Sequence, residues 1–180
     1  MKKIDSWFSD TAPLKSLWWV IPLLIAGIIY YDFLILNLLN YLKINKDGIS
    51  LHPGPFSSMS AIDVASTILV LGFLEECLFR AGPLQIIQVS SFRLFKRNSP
   101  VIVISTVFLT SIIFGYLHGN YLNIFIQGMP GAVYAVLYLK YGGYMKNDGA
   151  KTEFKKGLFT STTIHVFSNT TLICLYHLFW

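Results

Sequence analysis

Five runs of mostly apolar residues, at 17–42, 61–89, 101–117, 121–139 and 158–180, take up most of this 180-residue chain. Each is close to the roughly 20 helical residues that cross a hydrocarbon layer. The expected fold is therefore all-α, a polytopic transmembrane helical bundle of about five spans. Composition agrees, because 54% of the residues are apolar and only 13% charged, with a mean hydropathy of +0.57. A soluble domain of this length needs a charged outer surface that so few ionisable residues cannot supply. The second run is longer than a span requires, and Gly82-Pro83 inside it predicts a kink, since proline removes a backbone donor and clashes with the preceding turn.

Charge sits between the runs. The net charge of +5 is distributed over connectors and is not interleaved with aromatics along one stripe, which excludes nucleic acid as the partner and leaves membrane topology as its cause. With the N-terminus inside, the connectors bearing Arg93, Lys96 and Arg97, and Lys146, Lys151, Lys155 and Lys156, both fall in the cytoplasm. The opposite connectors hold little beyond Lys43 and Lys46, so the positive-inside rule favours a cytoplasmic N-terminus. The first run, preceded by Lys2 and Lys3, is too long for a signal-peptide core and has no evident small-residue cleavage site; it reads as a retained helix. Cys77 and Cys174 lie inside apolar runs without metal-site or redox spacing and read as packing residues. No repeat or long linker divides the chain, so residues 1–180 read as one integral membrane domain.

Against this background the polar residues inside the runs are informative, because a charge near the bilayer centre costs about 2.5–3.5 kcal/mol on insertion scales. They form three clusters: Glu75-Glu76 with Arg80, then His118, then His165 with Asn169. Glu76 and Arg80 are four apart with the acid first, the favourable order for an ion pair on one helix face. Glu75 points about 100° away and has no partner in its own segment, which suits a carboxylate that accepts a proton. His165 and Asn169, again four apart, project together, either as a helix-to-helix hydrogen-bonding pair or as chemistry. Taken alone, His118 reads more simply as an interfacial histidine. His177 and His52 read as interfacial and loop residues without chemistry, and Asp32 is a buried acid with no evident partner.

In order and spacing, Glu75-Glu76-Cys77-Leu78-Phe79-Arg80, Phe114 to His118 and His165 to Asn169 resemble the three motifs of the CAAX-protease and bacteriocin-processing (CPBP, or Abi) family of intramembrane proteases. The resemblance covers roughly residues 61–175, and the chain looks like the family's catalytic core with little elaboration. It implies a general base at Glu75, a water-holding His118, His165 and Asn169 facing the oxyanion, and Glu76 with Arg80 as supports. The substrate it implies is a membrane-associated peptide or protein, met in the lipid of a bacterial plasma membrane. Glu75, His118 and His165 also form a plausible zinc set with an open fourth position. Asn169 suits an oxyanion donor better than a zinc ligand, so the expectation is a metal-free glutamate mechanism with no cofactor. Two other classes use similar residues. A proton-coupled transporter is disfavoured by small size and the lack of an inverted repeat, and a catalytically silent binding or immunity protein by the presence of every motif member.

Overall fold

The computed structural model describes residues 2–44, 59–146 and 152–179. His52, Lys151 and most of the connector after Lys43 lie outside the described residues. Among the described residues, seven α-helices run in chain order: α1 (Lys2–Ser9), α2 (Leu17–Tyr41), α3 (Ala61–Glu76), α4 (Gly82–Phe95), α5 (Pro100–Leu117), α6 (Met129–Tyr138) and α7 (Phe154–Phe179). No strand occurs among the described residues. Among the described residues, two helical stretches are by length and composition able to cross a membrane, Leu14–Tyr41 and Pro100–Leu117. Of the other expected spans, those at 61–89 and 121–139 are interrupted, for local reasons that shape the site, whereas the last lies in the single unbroken helix α7.

The expected run at 61–89 is two helices joined by a widened turn, Cys77–Ala81, in which the Gly82 N–H reaches back to the Cys77 carbonyl five residues earlier. The kink expected at Gly82-Pro83 thus lies one turn earlier in the chain. Pro83 has no N–H for the Phe79 carbonyl and its ring crowds that oxygen, so the extra residue is absorbed in the turn before it. The run expected at 121–139 begins with a second widened turn, Ile124–Gly128, and a third, Leu139–Gly143, follows α6. Helix starts follow local chemistry: the Ser60 hydroxyl accepts from the Asp63 N–H at 3.2 Å and caps α3, while Pro100 opens α5 where no backbone donor is needed.

Small residues bring the central helices close together. A Cβ on Gly115 would lie 2.5 Å from both the Asn123 carbonyl oxygen and the Ile124 Cα, so α5 and the turn after it pack backbone to backbone. Outside, Trp18, Trp19, Leu23 and Phe33 of α2 are largely exposed, as expected of side chains that face lipid. Cys174 is exposed and Cys77 half-buried; both are free, so only Cys77 has any of the packing role expected of them. The N-terminal α1 was not anticipated. It is docked by Lys140, whose ammonium donates to the carbonyls of Trp7 and Asp10 at 2.6 Å each.

Candidate active site

The widened turn after α3 decides what the first cluster can reach. Glu76 and Arg80 remain one turn apart, and Arg80 Nη1 lies 3.5 Å from Glu76 Oε1 with both side chains essentially inaccessible. Arg80 also donates from Nε to the Gly131 carbonyl (3.4 Å) and from Nη1 to the Glu75 carbonyl (3.5 Å). Its guanidinium carbon lies 3.9 Å from the centre of the Phe114 ring, a cation–π contact strengthened by exclusion of water. Gly131 leaves room for this, since a Cβ there would be 2.5 Å from Arg80 Nη2.

Glu75, without a partner in its own segment, finds two on other helices. Its Oε1 lies 3.8 Å from His118 Nε2 and its Oε2 3.4 Å from His165 Nε2. Its side chain is 25% exposed, unlike that of Glu76. On sequence alone, a straight third span would carry His118 to the far face, away from Glu75. The structure brings them together because the run at 61–89 breaks after Glu76, so Glu75 stands at the C-terminal end of α3, beside His118, the C-cap of α5.

The tautomers follow from the remaining contacts. His118 Nδ1 faces the Phe114 carbonyl at 2.8 Å, which can only accept, so Nδ1 carries the proton. His165 Nδ1 faces Glu76 Oε1 at 2.9 Å, and beside Arg80 that carboxylate is also an acceptor. Both Nε2 atoms are then lone pairs when the rings are neutral, and both face Glu75. Three acceptor groups converge on one partly open position.

Sequence reasoning placed Glu76 beside Arg80 and missed its bond to His165. It also missed Tyr134, a buried α6 residue whose ring stacks on His165 at 4.7 Å and 20°. A tyrosine inside an apolar run carries no signal of such a role. Asn123, which donates to the His118 carbonyl at 2.7 Å, was missed for the same reason. Asn169 is half-buried one turn beyond His165 and makes no side-chain hydrogen bond among the described residues. Asp32 is buried in α2 with Oδ1 lacking a partner.

Imidazole nitrogens and a carboxylate are the donor types zinc prefers. Among the described residues, however, no three His, Cys, Asp or Glu side chains are gathered as a metal-binding group. In the zinc set expected as the alternative, His118 Nε2 and His165 Nε2 lie 3.8 and 3.4 Å from the two oxygens of Glu75.

Comparison with curated proteins and with solved structures gives no match. The family model described as type II CAAX prenyl endopeptidase Rce1-like matches residues 57–171, a stretch that holds all three polar clusters. The chain belongs to this Rce1-like family of CAAX endopeptidases.

Proposed function

We propose that this protein is an intramembrane endopeptidase that cleaves a membrane-associated peptide or protein with a water activated by Glu75. Its family carries intramembrane CAAX-type protease activity. The finer reading rests on one observation, the convergence of His118 Nε2 and His165 Nε2 on the two oxygens of Glu75. Acceptors so arranged attract a donor, and water bound there gives one hydrogen to the carboxylate and the other to an imidazole nitrogen. Its oxygen then attacks the scissile carbonyl carbon while Glu75 takes the proton. Asn169, whose carboxamide is uncommitted, donates to the oxyanion. As the C–N bond breaks, Glu75 returns the proton to the leaving amine. Glu76 and Arg80 hold the frame, and Glu76 also fixes the ring of His165.

No step of this scheme uses a cofactor. The role we favour is peptide maturation or removal of a C-terminal sorting tail. The test is cleavage of a membrane peptide substrate by reconstituted protein, with and without chelator. Glu75→Gln should abolish turnover yet keep thermal stability and substrate binding, because the amide preserves shape but cannot accept the proton. Wild-type activity should survive chelation. Full cleavage by Glu75→Gln removes the base assignment; activity lost to chelator and restored by zinc replaces it with a metal mechanism.

A further inference from the structure

The buried side chains of α2 are Leu17, Ile28, Asp32 and Leu39, and Asp32 is the polar one. Ile28, one turn before it, packs in a cluster with Tyr134 and Ile164, and Leu39 packs on Leu122 and Ile126. Asp32 therefore faces the interior of the bundle beside the candidate site. Helices α2 and α7 start at the same end: the Ser16 hydroxyl lies 2.7 Å from that of Tyr141, and a Cβ on Gly157 would lie 2.5 Å from the Tyr138 carbonyl oxygen. They run parallel, so the residues one turn beyond Ile28 and Ile164, Asp32 and Ser168, stand at one level. Asp32 Oδ1 and Ser168 Oγ are both buried and have no hydrogen-bond partner among the described residues. Both side chains nonetheless lie near enough to the Tyr134 phenol to act on it.

We propose that Asp32 is a positioning residue for His165: with Ser168 it binds an internal water that holds the Tyr134 phenol, and the Tyr134 ring holds the imidazole. The inference rests on the protease reading and extends the site to α2, outside the residues 57–171 that the family model matches. A water so placed accepts from the Tyr134 hydroxyl and donates to Asp32 Oδ1 and Ser168 Oγ, about three bonds, as a buried water commonly makes. Tyr134 is buried among apolar side chains, where its hydroxyl needs such a partner. Its ring stacks on His165 with centroids 4.7 Å apart and planes at 20°. The bond between His165 Nδ1 and Glu76 Oε1, 2.9 Å, fixes one atom of the imidazole and leaves the ring free to pivot about that line. A stacked phenol stops the pivot and keeps Nε2 aimed at Glu75 Oε2, 3.4 Å away.

The experiment records proton NMR of the full chain in detergent with isotope-labelled histidine, alongside cleavage of a membrane peptide. A phenol stacked on an imidazole shields the protons of that ring, so the His165 signal, identified by its loss in His165→Gln, should lie upfield of the other histidine signals. Tyr134→Leu should abolish the displacement. Asp32→Leu, on another helix, should move the signal toward the others, and Asp32→Asn, which still bonds a water, should restore it. In cleavage, Asp32→Leu and Tyr134→Phe should each lower kcat about tenfold with KM unchanged, the effect of one lost buried hydrogen bond. The double variant should lose no more than either single one, because both act through one contact. A His165 signal that ignores Asp32→Leu overturns the proposal, as does a double variant whose loss is the product of the two. If Asp32→Asn behaves like Asp32→Leu, hydrogen bonding is not the link and the proposal falls too. If the signal follows Asp32 as described and no peptide is cleaved, the clamp stands and the protease reading falls; if peptide is cleaved and the signal ignores Asp32, the reverse holds.

Discussion

Glu75 and Glu76 are adjacent in the chain, yet they face different surroundings. Glu76 is sealed between Arg80 and His165, while Glu75 is partly open and flanked by two imidazole nitrogens. Their substitutions should therefore separate. Glu76→Gln leaves the buried guanidinium of Arg80 without its counter-charge, a change that costs about 3–5 kcal/mol when a buried pair loses one member. A lower melting temperature in detergent should accompany its loss of activity, whereas Glu75→Gln should melt like wild type. Equal melting of Glu76→Gln and wild type would remove the structural role. The Glu76–Arg80 pair was legible in the sequence because both residues lie on one helix, where spacing fixes neighbours. The Glu76–His165 bond spans 89 positions, and spacing says nothing about which nitrogen meets which oxygen.

At the scale of elements, the sequence predicted apolar segments well and their interruptions poorly. The ends of the first and third runs agree with α2 and α5 within about a residue, because long apolar stretches between polar connectors define membrane-helix boundaries. The widened turns escaped, apart from the disturbance signalled by Pro83, since they depend on how neighbouring helices approach. Gly115 is the sharpest case. Three residues before His118, it lets the chain after α5 fold directly against that helix. Gly115→Ala puts a methyl group 2.5 Å from the Asn123 carbonyl oxygen, and overpacking of this kind costs about 1–3 kcal/mol. It should lower both melting temperature and turnover, because separating the two segments also shifts His118 from Glu75. Gly27→Ala provides the contrast. Beyond its own stretch of helix, no atom lies within 4 Å of its Cβ position, and replacing glycine by alanine inside a helix should stabilise α2 by up to about 1 kcal/mol. If Gly115→Ala is as well tolerated as Gly27→Ala, close approach does not position His118.

For the whole molecule, orientation is read from charge, and the contacts show which connectors share an end of the bundle. Asn98, just beyond the basic end of α4, donates to the Met145 carbonyl at 3.0 Å, so the α4–α5 and α6–α7 connectors meet at one end of the bundle. The N-terminal helix meets the same end, with the Tyr144 hydroxyl donating to Asp5 at 2.5 Å and Lys140 holding the carbonyls after α1. Burial and that carboxylate together push the Tyr144 phenol well above its ordinary pKa, so the contact persists as a hydrogen bond at neutral pH. Arg93, Lys96, Arg97, Lys140 and Lys146 belong to this end, and the positive-inside rule predicts that it faces the cytoplasm. In a background lacking Cys77 and Cys174, Lys96→Cys and Glu153→Cys should both resist an impermeant maleimide in intact cells and both react after lysis. Lys43→Cys, at the far end of α2, should react in intact cells. Labelling of Lys96→Cys and Glu153→Cys from opposite sides would contradict the Asn98–Met145 contact, and labelling of both in intact cells would keep the fold but reverse its orientation.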